Sequence, residues 1–235
     1  YYKTAYSVLL AEEYRDLTEE MACQLNSKVL DFYFKHITTV KMGGYYEYRS
    51  QYVEKLPCLT EDRAGVFDTM RDRADEIVDT IDLDRRTDRF PEAYLGEYDG
   101  QLDYIEYEWQ TRRYPVNADV QGDVDGEFTV QAGRTDTISH PAMYSDDREA
   151  RKKRAEYVCT AVNGRNVRRN EEMTIPIPQS DDGVKELLDR LEEDRREVEQ
   201  TDIDVLEAEI DQAVYDLFGL TADERAVIEE YLEVF

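Results

Sequence analysis

The amino-acid sequence predicts an α+β fold in which a strand-rich segment lies between helical regions. Apolar residues recur at intervals of three and four near the N terminus and again after residue 180, the spacing of a buried helix face. Between about residues 92 and 142 the pattern changes to short β-branched and aromatic runs separated by glycine-containing turns. These sequence patterns indicate helices on both sides of a β-rich insertion.

In the N-terminal part, helix and strand patterns alternate. Glu19 and Glu20 are expected in the first turn of a helix, where carboxylates favour the helix dipole. Gly43 and Gly44 interrupt the periodicity that follows. The expected elements are a strand over 4–11, a helix from Asp16 or Thr18 to about 36, a tyrosine-rich strand over 45–53, a helix over about 61–79 and a charged loop to Pro91.

The remaining elements follow from similar signals. Expected here are strands over 102–109 and 127–130, a helix over about 147–162, a turn at 163–164, a strand ending at 178, two striped helices and a short final helix. Gly219 predicts a left-handed helix end, and Thr221 with Glu224 predicts a capping box. We therefore expect a first domain over 1–180, with a C-terminal helical hairpin and final helix over 181–235 packing on it.

The charge balance is strongly acidic, with 55 acidic against 29 basic residues and a net charge of −26. Of the basic residues 8 are lysines and 21 are arginines. This composition is typical of a protein from a salt-accumulating halophile. Because the Debye length at 1 M salt is about 3 Å, such a surface would barely repel DNA at a distance. Acidity therefore does not exclude a nucleic-acid partner.

Other features of the composition indicate a cytoplasmic protein. The three cysteines are far apart and odd in number, which favours reduced thiols. No run approaches the roughly 20 apolar residues of a membrane helix. The chain begins at Tyr1 without a signal segment, so we expect it to be part of a longer polypeptide.

Familiar catalytic signatures are absent from the sequence. It contains neither a GxxxxGK[ST] phosphate loop nor an HExxH helix, and no convincing nuclease set of carboxylates and lysine. Asp119, Asp123, Asp125 and Glu127 lie close together but do not follow the spacing of a calcium-binding EF-hand. We therefore expect no catalytic residues, no metal site and no cofactor in this chain.

Basic residues are concentrated between residues 148 and 169, a segment that contains eight basic and two acidic residues. Such a cluster in an acidic chain indicates a polyanionic partner, because phosphate contacts supply much of the affinity for DNA. A helix face paired with neighbouring carboxylates is the alternative interpretation. The candidate DNA-binding residues in this segment are Arg151, Lys152, Arg165, Arg168 and Arg169.

Two smaller groups are further candidates for DNA contact. The first is Lys41, Tyr45, Tyr46 and Arg49 around the double glycine, and the second is Arg112 with Arg113. Arginine can bind guanine through two hydrogen bonds in the major groove. The tyrosines could instead pack within a strand, and the two arginines could flank a hairpin. Asn163 and Asn166 are expected to be turn residues.

Three stretches carry a resemblance to a known family. Residues 25–35 (LNSKVLDFYFK), residues 43–57 from the double glycine to Leu-Pro, and residues 210–221 (IDQAVYDLFGLT) resemble the TaqI-like C-terminal specificity domain of type IIG restriction–modification enzymes. Cys58 departs from the apolar residue typical of the family. The segment over about 92–170 matches nothing in that family.

The resemblance implies a target-recognition domain that binds double-stranded DNA. An upstream domain of the same polypeptide would then methylate adenine at N6 with S-adenosylmethionine as the donor, with or without a fused nuclease. The Asn-Pro-Pro-aromatic motif of that chemistry does not occur here. Half of a type I specificity subunit, an acidic DNA mimic and a protein-interaction domain are the alternatives.

Overall fold

A computed structural model of the chain describes residues 10–39, 46–47, 49–122 and 126–234. Within these ranges the fold is α+β with antiparallel sheets, as the sequence predicts. The chain divides into a terminal unit, Tyr1–Thr80 with Thr201–Phe235, and a central unit, Ile81–Gln200. This division differs from the expected boundary at 180, since residues 181–200 belong to the central unit.

Helices predominate in the described parts of the chain. The α-helices are α1 (Thr18–Asn26), α2 (Lys28–Ile37), α3 (Ser50–Val53), α4 (Phe67–Asp88), α5 (Glu92–Leu95), α6 (Arg148–Val162), α7 (Asp181–Gln200), α8 (Ile203–Leu217) and α9 (Ala222–Val234). Two 3₁₀ helices cover Glu12–Leu17 and Pro141–Met143. The strands are β1 (Leu102–Glu108), β2 (Ala118–Gly122), β3 (Phe128–Ala132), β4 (Asp136–Ile138) and β5 (Glu172–Pro178).

The terminal unit is built from helices around one apolar cluster. α2 contacts α8 and α9, and the cluster includes the buried side chains of Leu30, Met70, Val214 and Leu217. The single helix expected up to about residue 36 is divided in two at Ser27, which has an extended backbone. Its hydroxyl oxygen accepts a hydrogen bond from the backbone N–H of Leu30 and begins α2.

Two other expectations for this part of the chain were wrong. The strand expected over 45–53 is a short helix over Ser50–Val53, while residues 40–45 and 48 lie outside the described residues. The helix expected over 61–79 begins later, because the Asp62 carboxylate accepts hydrogen bonds from the backbone N–H groups of Val66 and Phe67. It also continues to Asp88, where a charged loop was expected. Most of the strand expected over 4–11 lies outside the described residues.

The central unit contains the expected β-rich segment. β1 pairs with β5 in an antiparallel sheet that places Ile105 opposite Ile175, and β2, β3 and β4 form a second antiparallel sheet. α6 contacts β2, β3, β5 and α7, so one core serves both sheets. Trp109 and Tyr157 are fully buried in this core.

The end of α8 follows the sequence signals closely. Gly219 has a φ of +67°, and the N–H of Leu220 donates to the carbonyl of Tyr215 at 3.0 Å, as in a Schellman motif. The Glu224 carboxylate accepts from the backbone N–H and the hydroxyl of Thr221, both at 2.8 Å. The predicted capping box is therefore present at the start of α9.

Among the residues that the structure describes, no helix combines the length and the apolar character needed to cross a membrane.

Replacing Thr221 with Ala should lower the free energy of unfolding by about 1 kcal/mol, because α9 loses its N-terminal cap. Chemical unfolding followed by circular dichroism measures this change. Val227→Ala in the same helix removes an exposed side chain, and should change stability by less than about 0.5 kcal/mol. Equal stability of Thr221→Ala and the unchanged protein would contradict the assigned cap.

Candidate nucleic-acid interface

The basic segment over 148–169 does not form one continuous charged surface. Arg154 of α6 is 4% exposed. Its Nε donates to an Asp181 carboxylate oxygen at 2.6 Å, and its two Nη atoms donate to the carbonyls of Ala142, Pro178 and Gln179. This guanidinium holds the start of α7 and the end of β5 together, and is not available to a partner.

Arg151 and Arg165 are also engaged within the central unit. Arg151 donates to the carbonyl of Gly126 at 2.9 Å and to that of Ser145 at 2.8 Å. Arg165 forms an ion pair with Glu92, in which Nη2 lies 2.7 and 2.8 Å from the two carboxylate oxygens. Both arginines were candidates for DNA contact, and both have structural roles here.

The two lysines of α6 share one carboxylate. The Nζ atoms of Lys152 and Lys153 lie 3.5 and 2.9 Å from the oxygens of Glu156, one turn further along the helix. This is the local pairing that the alternative interpretation of the segment anticipated. Exposed pairs of this kind are weak, so Lys152 could exchange Glu156 for another anion.

Arg113 belongs to a buried hydrogen-bond network centred on Asp136 at the start of β4. The Asp136 side chain is fully buried, and Arg113 donates to its Oδ2 from Nε at 3.2 Å and from Nη2 at 2.7 Å. The Tyr107 hydroxyl and the Gln110 N–H donate to Oδ1, and the Thr135 hydroxyl donates to Oδ2. Arg113 is therefore a structural residue of this loop.

Burial alone would raise the pKa of Asp136, but hydrogen bonds from Arg113, the Gln110 N–H and Thr135 outweigh it and lower the pKa below 3.8. Because the pKa of the folded state is lowered, this carboxylate stabilises the fold above pH 3.8. The contribution is lost as pH falls from 3.8 through the lower pKa of the folded state.

Two loops extend the β1–β5 pairing beyond the ends of the strands. The backbone of Trp109 is hydrogen-bonded to Glu171 at 3.0 Å and to Asn170 at 2.7 Å, and Arg113 and Val167 exchange two hydrogen bonds at 2.9 and 3.0 Å. We call residues 109–116 and 164–171 the loop pair. Because Trp109 is fully buried at its base, the loop pair is fixed to the core of the central unit.

The loop pair presents three exposed arginines, Arg112, Arg168 and Arg169. Within the described ranges none of the three guanidinium groups lies in an ion pair. Arg112 instead lies over the ring of Tyr114, with its guanidinium carbon 4.4 Å from the ring centroid. The opposing charge nearby is Glu171, whose carboxylate accepts the backbone N–H of Arg168 at 2.8 Å.

A cleft of about 610 Å³ opens on this surface. We call it the arginine cleft, and its lining residues are Tyr114, Asn166, Arg168, Arg169, Asn170 and Glu171. Asn170 adopts a φ of +60°, a left-handed conformation that asparagine tolerates well. The cleft thus combines two cations, one carboxylate, two side-chain amides and an aromatic ring.

The candidates around the double glycine belong to the terminal unit. Lys41 and Tyr45 lie outside the described residues. Arg49 lies 2.9 Å from Glu47 in an ion pair, and the ring of Tyr46 lies 5.6 Å from the Nζ of Lys35.

The sequence interpretation missed Tyr114 and Asn170, and it assigned Asn166 only to a turn. The available signal for Tyr114 was its position directly after Arg112 and Arg113. The role of Asp136 had little local signal, since all of its partners except the adjacent Thr135 come from residues 107–113 on another strand and loop.

Comparisons with models of known protein families, with curated proteins and with solved structures find no match to this chain. Among the described residues, no group of three or more histidine, cysteine, aspartate or glutamate side chains is placed to hold a metal ion. The function is therefore inferred from the chemistry of the loop pair and from the sequence.

Replacing Asp136 with Asn should lower the free energy of unfolding by about 3 kcal/mol, because Arg113 loses a buried counter-ion. The difference in the free energy of unfolding between the variant and the unchanged protein should become smaller as pH falls below 3.8, where Asp136 itself becomes protonated. Chemical unfolding at a series of pH values measures both effects. Asp119→Asn on β2 is the exposed control, and a change of equal size there would contradict the role of Asp136.

Replacing Arg154 with Ala should cost about 3 kcal/mol of stability, since Asp181 and three carbonyls lose their donor. Lys152→Ala, which removes a half-exposed cation from the same helix, should cost less than about 1 kcal/mol. Thermal unfolding of the two variants makes the comparison. Similar losses for both would show that Arg154 is not the structural centre described here.

Proposed function

We propose that the chain is a sequence-specific recognition module for double-stranded DNA and that the loop pair is its main contact surface. In this proposal Arg112, Arg168 and Arg169 meet the DNA, while Arg113, Arg151, Arg154 and Arg165 stabilise the fold that presents them. Lys152 is a peripheral contact.

The observation that carries the proposal is the presence, on two adjoining loops, of three exposed guanidinium groups that have no carboxylate partner among the described residues. The chain has a net charge of −26, and many arginines of the central unit lie in ion pairs or donate to backbone carbonyls. Arg89, Arg134, Arg148 and Arg195 are also exposed without an ion pair among the described residues, but they do not lie on the loop pair. An acidic protein could readily supply a counter-ion to Arg112, Arg168 and Arg169. A polyanionic ligand would take the place of that counter-ion.

In this proposal, different side chains of the loop pair position the module on the DNA and recognise its bases. Guanidinium groups on the rim would bind phosphate oxygens and fix the register of the module on the duplex. Asn166 and Asn170 carry both donors and acceptors and could meet base edges, where a good two-point contact discriminates by about 1–3 kcal/mol. A rigid loop pair favours this role, because base readout requires a fixed geometry.

The wider context of the proposal comes from the family resemblance in the sequence. In that context the module belongs to a cytoplasmic adenine-specific DNA methyltransferase, and an upstream domain of the same polypeptide supplies catalysis and binds S-adenosylmethionine. This chain then contributes recognition and no catalytic residue. Lys41, Tyr45, Tyr46 and Arg49 remain candidates for a second contact from the terminal unit.

Replacing Arg112, Arg168 and Arg169 together with Gln should weaken binding to duplex DNA by at least about tenfold at constant salt. The slope of log affinity against log salt should also become shallower, by about 0.9 for each phosphate that the variant no longer binds. Fluorescence anisotropy with labelled duplexes across a series of KCl concentrations measures both quantities.

The matched control replaces Arg85, Arg195 and Arg196 with Gln, three exposed arginines of the same unit outside the loop pair. It makes the same change in net charge and should leave affinity within about twofold. Equal weakening by both triple variants would reject the loop pair as the contact surface. No DNA binding by the unchanged chain at any salt concentration would reject the function and favour the acidic-mimic alternative.

A further inference from the structure

Tyr114 is an exposed aromatic residue held in place at the rim of the arginine cleft. Its side chain is 50% exposed, although a tyrosine on a loop could bury its ring against the core. The guanidinium of Arg112 lies over the ring, which restricts the rotation of the side chain. Arg112 does not line the cleft, whereas Tyr114 does. The ring thus contacts its arginine and is still accessible from the cleft.

The charges lining the cleft favour an uncharged group beside a phosphate over a second phosphate. Arg168 and Arg169 supply positive charge, but Glu171 contributes a carboxylate to the same lining. A second phosphate beside this carboxylate would be repelled, whereas a neutral heterocycle would not. The amides of Asn166 and Asn170 and the Glu171 carboxylate can hydrogen-bond the edge of such a heterocycle.

Stacking on an exposed ring requires a base that has left its neighbours in the duplex. Bases within an intact duplex are stacked on both sides and present only their edges in the grooves. An aromatic ring accompanied by arginines is the arrangement by which proteins hold unpaired nucleotides. A surface that only bound the phosphates of a duplex could use the hydroxyl of Tyr114, but not the face of its ring.

We infer that the arginine cleft binds one unpaired nucleotide, with its base stacked on Tyr114 and one flanking phosphate bound by Arg168 and Arg169. This inference rests on the proposed function and narrows its ligand from duplex DNA in general to DNA that contains an extruded base. The module then binds most tightly where the duplex is locally opened.

The test compares a fully paired labelled duplex with a duplex of the same sequence carrying one extra unpaired nucleotide at its centre. Anisotropy titrations at the same KCl concentration should give an affinity about tenfold higher for the bulged duplex, from the stacking of one base. Tyr114→Ala should remove this preference, so that the paired and the bulged duplex bind with equal affinity. Tyr114→Phe keeps a ring and should retain the preference.

Tyr144→Ala is the matched control, because Tyr144 is 54% exposed and also lies beside an arginine, Arg151, but does not line the cleft. It should keep the preference for the bulged duplex. Equal affinity of the unchanged protein for the two duplexes, or a preference that survives in Tyr114→Ala, would overturn the inference but leave duplex recognition standing. Failure to bind either duplex would overturn both.

Discussion

The buried carboxylate of Asp136 is the constraint on which the candidate surface depends. Burying a charge is costly unless hydrogen bonds and an opposite charge accompany it, and Asp136 receives both from residues 107–113 and from Thr135. Because these hydrogen bonds to Asp136 come from residues 107, 110 and 113, they fix the path of the loop that follows β1. Since neighbouring side chains of an extended segment point to opposite sides, the inward Arg113 leaves Arg112 and Tyr114 to project outwards together.

In a chain with so many carboxylates, exposed arginines without an ion pair are informative about function. In the central unit the arginines Arg86, Arg154, Arg165 and Arg190 each lie within ion-pair distance of a carboxylate. Exposed ion pairs contribute little to stability but are easily formed where carboxylates are abundant. In the part of the chain that the structure describes, Arg112, Arg168 and Arg169 lack such partners, as do the exposed Arg89, Arg134, Arg148 and Arg195. What distinguishes the first three is that they lie together on two hydrogen-bonded loops. That their guanidinium groups form no ion pair among the described residues is a property of the fold, and the charge count does not show it.

The sequence predicted the elements whose signals are local, and the site only in part. α6, the strands β1 and β5, and the Thr221 capping box all follow from neighbouring residues. The basic run over 148–169 predicted the exposed arginines less well. Arg154 pairs with Asp181 and Arg165 pairs with Glu92, and both carboxylates come from distant parts of the sequence. Linear charge density cannot reveal such partners. Within that run Arg168 and Arg169 are exposed and stay candidates, and the pair at 112–113 contains one exposed and one structural arginine.

High salt concentration would favour the kind of contact that the arginine cleft offers. The acidic sequence predicts a protein that works at molar salt, where attraction to phosphates is greatly weakened. Stacking and hydrogen bonds to bases depend less on ionic strength than phosphate contacts do, since they release few counter-ions. A recognition surface under these conditions needs contacts of this second kind. In the proposed function, Tyr114 would supply them, with Arg112 over its ring and two asparagines beside it, and the exposed arginines of the loop pair would orient the strand more than attract it.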